Sequence, residues 1–391
     1  MSDKRKDDRS KKKKGDKHKI TNLREFKKFV KINNDSMKNW YDGLDGKWWW
    51  GMSEEDAISH IEQGLVPEIE TDKVTFISTW GINCGIATYT KYLLDELSIV
   101  TPNPFLVNSI NEGKLKHKTK RGLVHLQHEF GIVPPKLPRM KNRMIITWHT
   151  VSKNTNEAIK NFESRYNVVA HIVHSECTRH DINTSKDIWT VPHGSTLIPE
   201  MKKEDARKLL NINIDMPIGF VFGFQSGEKN YSRLIDAAKN TDMHIIISGA
   251  SHNLRNPTFL TSDKNVTFMN RFLTEDEVNL YALASDLLLF DYVPKDNYSV
   301  SGAMHRVIGA GRPVICSDVR HFNDLRHNYN CLKFKNQSRL ERCIRKALKD
   351  SGKLGIAARE YSEKTSWRKI AKCHIDIYKK YTDISSLRLV K

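Results

Sequence analysis

The sequence has no long apolar run and few cysteines. No stretch approaches the roughly 18 apolar residues of a membrane span, because Asp286 and Asp291 interrupt the most apolar segment, 281–293. The six cysteines are scattered with no C-x-x-C pair, which argues for reduced thiols and against a disulfide framework or a zinc site. The N-terminus is lysine-rich with no apolar stretch behind it, so we expect no secretory signal. These absences favour a cytoplasmic protein without an integral membrane segment.

Negative charge is also scarce. The chain holds 64 Lys and Arg against 46 Asp and Glu, which gives a formal net charge of +18. Such an excess suits a polyanionic partner, either nucleic acid or an anionic membrane surface, and does not distinguish the two. The 391 residues, 39% of them hydrophobic, are enough for two domains with cores of ordinary size.

The first 72 residues differ from the remainder. Residues 1–20 hold ten Lys or Arg against four Asp without apolar periodicity, which predicts a disordered basic arm. The arm contacts nucleic acid or a membrane, or serves only as a solubilising tail. Residues 21–72 contain Trp40 and Trp48–Trp50 beside segments of helical spacing, which predicts a small helical and aromatic module. Its tryptophans are expected to form a core, with stacking on bases as the alternative.

From residue 73 onward, strand-like and helix-like segments alternate. This pattern predicts an α/β fold of two doubly wound, Rossmann-like parallel sheets that face each other across a cleft. The final segment, 366–380, has the spacing of an amphipathic helix. The predicted strands are 74–78, 122–127, 144–147, 168–174 and 188–191 in the first unit, and 219–223, 244–248, 266–269, 286–290 and 313–316 in the second.

Residues 299–318 read as a loop, a helix, a tight turn and a buried strand. Ser299, Ser301 and Gly302 place small residues where the helix begins, and Gly309 and Gly311 follow it. Free N–H groups at a helix start, with hydroxyls beside them, form a site for an anion such as phosphate. The alternative is an ordinary α/β turn that binds nothing.

Five motifs follow one another along residues 73–380. They are FISTWGINCGIATYT at 76–90, VHLQHEFG at 124–131, TWHT at 147–150, PHG at 192–194, and a run from RFLTEDEVNLYALASDLLLF to SGAMHRVIGAGRPVICSD at 271–318. In this order they resemble the GT-B glycosyltransferases of family 4, which use nucleotide sugars. The first two are similar to motifs of members that read C-G-I-A and Q-H-E-F-G.

The resemblance implies a domain plan and a reaction. It implies an acceptor domain over 73–200, a donor domain over 201–365, and a crossover helix with a tail over 366–391. It also implies a retaining, metal-independent transfer of a hexose from a nucleoside diphosphate sugar, such as UDP-glucose, with no other cofactor.

The resemblance implies roles for particular residues as well. The implied catalytic residues are His149, His128 and Lys229. The implied diphosphate contacts are Gly81, Gly85, Lys229, Ser299, Ser301, Gly302 and Ala303. The implied contacts to donor sugar or nucleotide are Glu129, Gly223, Asp291 and Asn297.

Several of these residues have a second interpretation. Lys229 is alternatively a solvated lysine at a helix start. His128 and Glu129 are alternatively a polar pair at a strand end whose hydrogen bonds are satisfied. His193 and Gly194 shape the interdomain hinge or touch the ligand, while other polar residues near the strand ends support these groups.

The chain departs from the family pattern at the sugar end. Members commonly carry two Glu separated by seven residues, where this chain has Tyr298 and Arg306. Phe224 stands where an Arg usually precedes the loop lysine by five residues. The contacts to sugar hydroxyls must therefore be made by other residues, for which Asp291, Asp296 and Asn297 are the candidates.

Three functions remain open at this stage. The favoured one is a glycosyltransferase whose acceptor is a hydroxymethylated base in DNA, such as viral DNA in an infected cytoplasm, because it suits the positive charge. A lipid-linked or polysaccharide acceptor is the second, and would place the protein on an anionic membrane surface. A catalytically degenerate GT-B protein that binds nucleic acid or glycan is the third, suggested by the missing carboxylates. The oligomeric state is not predicted.

Overall fold

The computed structural model describes residues 74–101, 105–110, 122–225, 227–249 and 263–382. The predicted basic arm, the aromatic module and the tail beyond residue 382 lie outside the described residues.

Six parallel strands form the first sheet. They are β1 (Val74–Ser78), β2 (Phe105–Ser109), β3 (Leu123–His128), β4 (Arg143–Trp148), β6 (Asn167–Val173) and β7 (Asp187–Thr190). Their order is β2-β1-β3-β4-β6-β7, so the direction of winding reverses between β1 and β3. Side chains on β1 and β3 are buried along their whole length, as expected of central parallel strands.

The second sheet has the same construction. Its strands are β8 (Ile218–Phe222), β9 (His244–Ser248), β10 (Val266–Met269), β11 (Leu287–Phe290), β13 (Val314–Ser317) and β14 (Leu332–Phe334). All neighbours are parallel, in the order β10-β9-β8-β11-β13-β14. This is the dinucleotide-binding order, with its reversal between β8 and β11.

Ten α-helices connect and cover the two sheets in the described residues. They are α1 (Gly85–Val100), α2 (Thr155–Arg165), α3 (Glu176–Asp181), α4 (Lys203–Leu209), α5 (Tyr231–Lys239), α6 (Glu275–Ala284), α7 (Gly302–Val307), α8 (Gln337–Lys349), α9 (Ser351–Lys364) and α10 (Trp367–Tyr381). Short 3-10 turns cover Ile308–Ala310 and Arg320–Phe322. Polar side chains define several helix starts, and the clearest is the capping box of Thr274 and Glu277 at α6.

The last helix crosses from the second domain to the first. α9 packs beside the second sheet, whereas Trp367, Ile370 and Tyr378 of α10 join the core formed by α1 and one face of the first sheet. A Cβ on Gly194 would lie 2.2 Å from Cε3 of Trp367, so only glycine lets the indole pack against this loop. The crossover helix therefore ties the two domains together on one side of the cleft.

A two-stranded ribbon also joins the domains. β5 (Thr150–Val151) pairs antiparallel with β12 (Tyr298–Ser299), placing Ser299 opposite Thr150. No sequence pattern predicted this pair, because each strand has only two residues and its partner lies in the other domain.

The two facing parallel sheets confirm the predicted α/β class. The sequence patterns missed β2 and β14, and the remaining predicted strands agree with the structure to within about two residues at each end. The stretch 299–318 has the predicted loop, helix, turn and strand, and Gly311 adopts the left-handed conformation with φ of 67°.

Candidate functional site

A cavity of about 570 Å³ lies between the two domains. Its walls include Asn83, Cys84 and Gly85, which follow β1, and Phe222 to Phe224, which end and follow β8. Both segments sit at the carboxyl ends of strands where the winding of their sheet reverses. Loops diverge at such points and leave a crevice, which is where open α/β sheets bind ligands.

Lys229 supplies a cation to this cavity. Its ammonium lies 3.4 Å from the carbonyl oxygen of Phe222 and 5.8 Å from the centre of the Tyr292 ring. No carboxylate of the described residues forms an ion pair with it, and burial lowers the pKa of Lys229 to about 7, against the opposing charge of Glu228. A desolvated ammonium without a counter-ion favours an anionic ligand in the cavity.

Gly223 brings Lys229 and α7 together. The glycine has φ of +119°, and a Cβ there would lie 2.6 Å from Nζ of Lys229 and 2.8 Å from Cβ of Ala303. Any larger residue would displace the ammonium or the start of α7. The structure thus places Lys229 and Ala303, which are implied diphosphate contacts, and Gly223, which is an implied contact to sugar or nucleotide, at one point of the cavity wall.

The segment before α7 forms the adjoining wall. Ser299, Ser301, Gly302 and Ala303 all line the cavity. The Ser301 hydroxyl accepts a hydrogen bond from the backbone N–H of Met304 at 3.3 Å and lies 3.0 Å from the Tyr292 hydroxyl, so it caps the helix. The N–H groups of Gly302 and Ala303 come before the first intrahelical bond and are available to a ligand.

Four buried polar atoms at the cavity have no hydrogen-bond partner among the described residues. All four side chains line the cavity, and the atoms are Oη of Tyr89, Oγ1 of Thr196, Oγ of Ser248 and Nδ1 of His321. An unsatisfied buried polar group costs about 1–3 kcal/mol, so a ligand that bonds them recovers this cost. The sequence did not single them out, although Tyr89 belongs to the first quoted motif.

The two predicted catalytic histidines lie outside the cavity lining. The His149 ring is 4.7 Å from Tyr89, and its nitrogens lie 2.9 Å from Oε1 of Gln127 and 3.3 Å from Nε2 of His174. His128 packs among aromatic rings of the first domain, and burial lowers its pKa to about 3. Burial also lowers the pKa of His149 far below its usual value, so both rings are neutral at pH 7.

His193 is the histidine of the first domain that lines the cavity in the described residues. A Cβ on Gly302 would lie 3.2 Å from its Nε2, and its ring centre is 4.7 Å from that of His305 in the other domain. It therefore contacts the opposite domain as well as the cavity, which combines the two interpretations of the PHG motif.

Of the remaining predicted residues, some line the cavity and others lie outside its lining. Gly85 lines it, while Gly81, with φ of +66°, is exposed in the preceding loop. Glu129 lies outside the lining, accepts a hydrogen bond from Oγ1 of Thr150 at 2.8 Å, and has its pKa raised to about 7 by burial. Asp291 is buried and bound by the Arg233 guanidinium, with Nε at 2.6 Å, and Asn297 is exposed.

The residues at the two positions where the family carries carboxylates form hydrogen bonds with other parts of the chain. The Tyr298 hydroxyl donates to Oδ2 of Asp181 at 2.6 Å, across the domain boundary. Arg306 lines the cavity and donates to Oδ1 of Asn279 at 2.8 Å and to the backbone oxygen of Glu275 at 3.0 Å.

Two acids line the cavity in the described residues, and the sequence did not single them out, although Glu275 belongs to the last quoted motif. Glu228 pairs with Nζ of Lys295 at 2.8 Å, and Glu275 accepts from the Tyr92 hydroxyl at 3.0 Å. Sugar hydroxyls are bound well by carboxylates. Among the described residues, these two acids are the carboxylates that the cavity wall offers to a ligand with hydroxyl groups.

Among the described residues, no three His, Cys, Asp or Glu side chains are grouped so that they could hold a metal ion. Within the same residues, no helix has the length and apolarity needed to span a bilayer.

Comparison with known proteins shows that the fold of this chain is similar to that of several solved structures. No protein-family model matches the chain, and no curated protein matches it in sequence. Sucrose-phosphate synthase from Thermosynechococcus elongatus matches with a TM-score of 0.61 at 16% identity, covering 79% of this chain and 99% of that one. A glycosyltransferase from Rickettsia africae gives 0.61 at 12%, covering 80% and 99%. Anabaena HepE, in complex with UDP and glucose, gives 0.60 at 12%, covering 79% and 100%.

At these identities the comparison shows the fold alone. The fold is the GT-B arrangement that the motifs led us to expect. The narrower similarity to members with C-G-I-A and Q-H-E-F-G motifs stays a prediction.

Proposed function

We propose that this chain is a glycosyltransferase that moves a hexose from a nucleoside diphosphate sugar to a hydroxyl group. The observation that carries the proposal is the buried Lys229 ammonium, which faces the interdomain cavity without a carboxylate partner among the described residues. The GT-B fold supports it, because structures of this fold include glycosyltransferases and a protein bound to UDP and glucose.

The cavity wall provides what a departing diphosphate needs. Negative charge develops on the leaving oxygens, and preorganised donors in a site shielded from water stabilise it strongly. Lys229 supplies the charge, and the N–H groups of Gly302 and Ala303 supply hydrogen bonds, with Gly223 and Gly85 allowing close approach. In this proposal the reaction retains the anomeric configuration and uses no metal.

The sugar lies at the side of Glu228 and Glu275. Both acids line the cavity, whereas Tyr298 and Arg306 occupy the positions of the family's carboxylate pair. UDP-glucose is the first donor to test, because HepE also has a structure in complex with it. His149 acts through its ring contact with Tyr89, whose hydroxyl has no hydrogen-bond partner among the described residues, rather than by touching the donor itself.

The acceptor that we propose is a hydroxymethylated base in DNA. The formal charge of +18 suits a phosphate backbone. A base reaches an interdomain cavity only when it is flipped out of the helix, which enzymes acting on bases do at a cost of a few kcal/mol.

A transfer assay tests this function. The full chain is incubated with radiolabelled UDP-glucose, or other labelled nucleotide sugars, and either hydroxymethylated duplex DNA or a membrane lipid extract. We expect label in the DNA, and a loss of about 100-fold in kcat/KM for Lys229→Ala, since that change removes a charged leaving-group contact. Lys335→Ala is the control, because this lysine is exposed in the second domain.

The possible outcomes of this assay distinguish the three candidate functions. Label that enters only lipid would overturn the DNA acceptor and leave the transferase. No transfer or hydrolysis of any donor by the folded chain would overturn the enzyme and favour a binding protein. Equal activity of Lys229→Ala and Lys335→Ala would remove Lys229 from the site.

A further inference from the structure

One flank of the first domain carries a dense, unbalanced positive charge. Residues 130–165 contain seven Lys or Arg and two Glu. Oε1 of Glu163 lies 2.9 Å from Nε2 of the buried His171 ring, so Glu157 is the exposed acid of this segment. The cations cluster in residues 134–143, the basic strap, which contains Lys136, Arg139, Lys141 and Arg143 in exposed positions.

The basic strap is held rigidly, although residues 134–142 form neither helix nor strand. The Tyr166 hydroxyl donates to the Leu137 carbonyl at 2.6 Å and accepts from the Leu137 N–H at 2.7 Å. Leu137 itself is buried in the core on this face of the sheet. The Asn161 amide donates to the Pro135 carbonyl at 3.2 Å, and that of Asn142 to the Gly122 carbonyl at 2.9 Å.

These anchors lower the entropy cost of binding. Three prolines restrict the backbone, and every second or third side chain is an exposed cation. The positive charges are therefore presented from a fixed surface instead of a mobile loop.

The basic strap leads away from the cavity. β3 ends at His128 on the cavity edge of the first sheet, and β4 begins at Arg143 on the opposite edge. Because the two strands are parallel neighbours, the intervening chain must cross the full height of the sheet. Its cations thus form a track from the region of the cavity along the outside of the domain.

The flank lacks the features of a membrane-binding surface. Large apolar side chains that are exposed elsewhere include Ile82, Leu209 and Ile356, yet none of those exposed in the described residues falls within 130–165. A protein that lies on a bilayer usually inserts Trp, Phe or Leu beside its cations. Cations without exposed large apolar side chains beside them match a hydrated polyanion instead.

We propose that the basic strap binds the phosphate backbone of double-stranded DNA and holds it while a base enters the cavity. This inference rests on the proposed function for its acceptor. Lys136, Arg139 and Lys141 provide the phosphate contacts, because none of them forms an ion pair with the described residues. Contacts of this kind position the duplex and carry no sequence information.

A matched pair of charge reversals tests the proposal. The first variant is Lys136→Glu/Arg139→Glu/Lys141→Glu. The control is Lys353→Glu/Lys364→Glu/Lys372→Glu, three exposed lysines of α9 and α10 without ion pairs in the described structure. Both variants turn three cations into three anions, so the net charge of the chain changes equally.

Affinity for a fluorescent duplex is measured with the full-length chain over a range of salt concentrations. We expect the strap variant to bind duplex DNA at least about tenfold more weakly. The slope of log affinity against log salt should become shallower by about three. The control should keep most of the affinity. Both variants should hydrolyse or bind UDP-glucose as the unchanged protein does, because none of the six residues lines the cavity.

The readouts distinguish failure of this proposal from failure of the proposed function. Duplex affinity is measured without transfer, so a chain that binds DNA through the basic strap and transfers no sugar contradicts only the function. Equal weakening in both triple variants, an unchanged salt slope, or no binding of duplex by the unchanged protein overturns the proposal. So does loss of binding to phosphatidylcholine–phosphatidylserine vesicles by the strap variant while its DNA binding persists.

Discussion

At the scale of single residues, the site depends on the protonation of Lys229. Desolvation is the main cause that lowers its pKa to about 7, and Glu228 partly opposes it. In the empty cavity at neutral pH the side chain is therefore divided between ammonium and amine. A diphosphate needs the ammonium, so it should bind more tightly to the protonated protein.

Donor affinity should consequently fall as pH rises. Between pH 6 and pH 8 the protonated fraction of a group with a pKa of about 7 falls about tenfold, and the dissociation constant of UDP-glucose should rise by about the same factor. Isothermal titration calorimetry at several pH values measures this. Lys229→Met should bind weakly and without this pH dependence, while an unchanged protein with pH-independent affinity would contradict a protonated Lys229 in the complex.

At the scale of elements, β8 and α7 approach each other only because Gly223 lies between them. Its φ of +119° is a conformation that L side chains rarely adopt. Nζ of Lys229 and Cβ of Ala303 occupy the space that a Cβ at this position would need. The loop after β8 and the start of α7 can then face the same ligand. This is a close approach of backbone to a site, which glycine alone permits.

Gly223→Ala should damage stability and binding together. The backbone strain and the contact at 2.6 Å should lower the free energy of unfolding by about 1–3 kcal/mol and weaken UDP-glucose binding more than tenfold. Urea denaturation and calorimetry measure the two effects. Gly227→Ala is the control, because this glycine is exposed and an added Cβ would meet no atom within 4 Å. Similar results for the two variants would contradict the packing role.

At the scale of the whole molecule, a small polar cluster bridges the domains beside the cavity. The Tyr298 hydroxyl donates to Asp181 of the first domain and accepts from Nη2 of Arg320 at 3.0 Å. The Arg320 guanidinium also bonds Asp181 and lies 4.0 Å from the centre of the Tyr298 ring. Together with the β5–β12 ribbon, this cluster links the two domains.

Tyr298→Phe should favour an open cleft. It removes the hydroxyl that joins the domains and keeps the ring, so stability should change by less than about 1 kcal/mol. We expect a larger radius of gyration in small-angle scattering and a severalfold higher KM for UDP-glucose. Tyr329→Phe is the matched control, because its hydroxyl bonds Glu360 within the second domain. A scattering curve and KM equal to those of the control would show that the cluster does not set closure.

Local sequence pattern predicted the parts of the fold that local forces determine. The buried strands of both sheets, α10, and the loop, helix and strand of 299–318 were visible, because apolar runs and turn residues act over a few neighbours. β2 was missed although it pairs with β1, and the β5–β12 ribbon was missed because two-residue strands carry no periodicity. Resemblance to a family, rather than pattern, assigned Gly223, Lys229 and Ala303 to donor binding.

The sequence by itself determined that the chain forms two parallel sheets with polar residues at their carboxyl ends, because side-chain periodicity and burial decide that locally. Only the tertiary structure decided which of those residues meet. It placed Lys229, Gly302 and the unpartnered hydroxyl of Tyr89 on one cavity, and it left His128, Asp291 and Asn297 outside. The reason is physical, since the cavity exists only where two domains close and each wall residue depends on contacts far away in sequence.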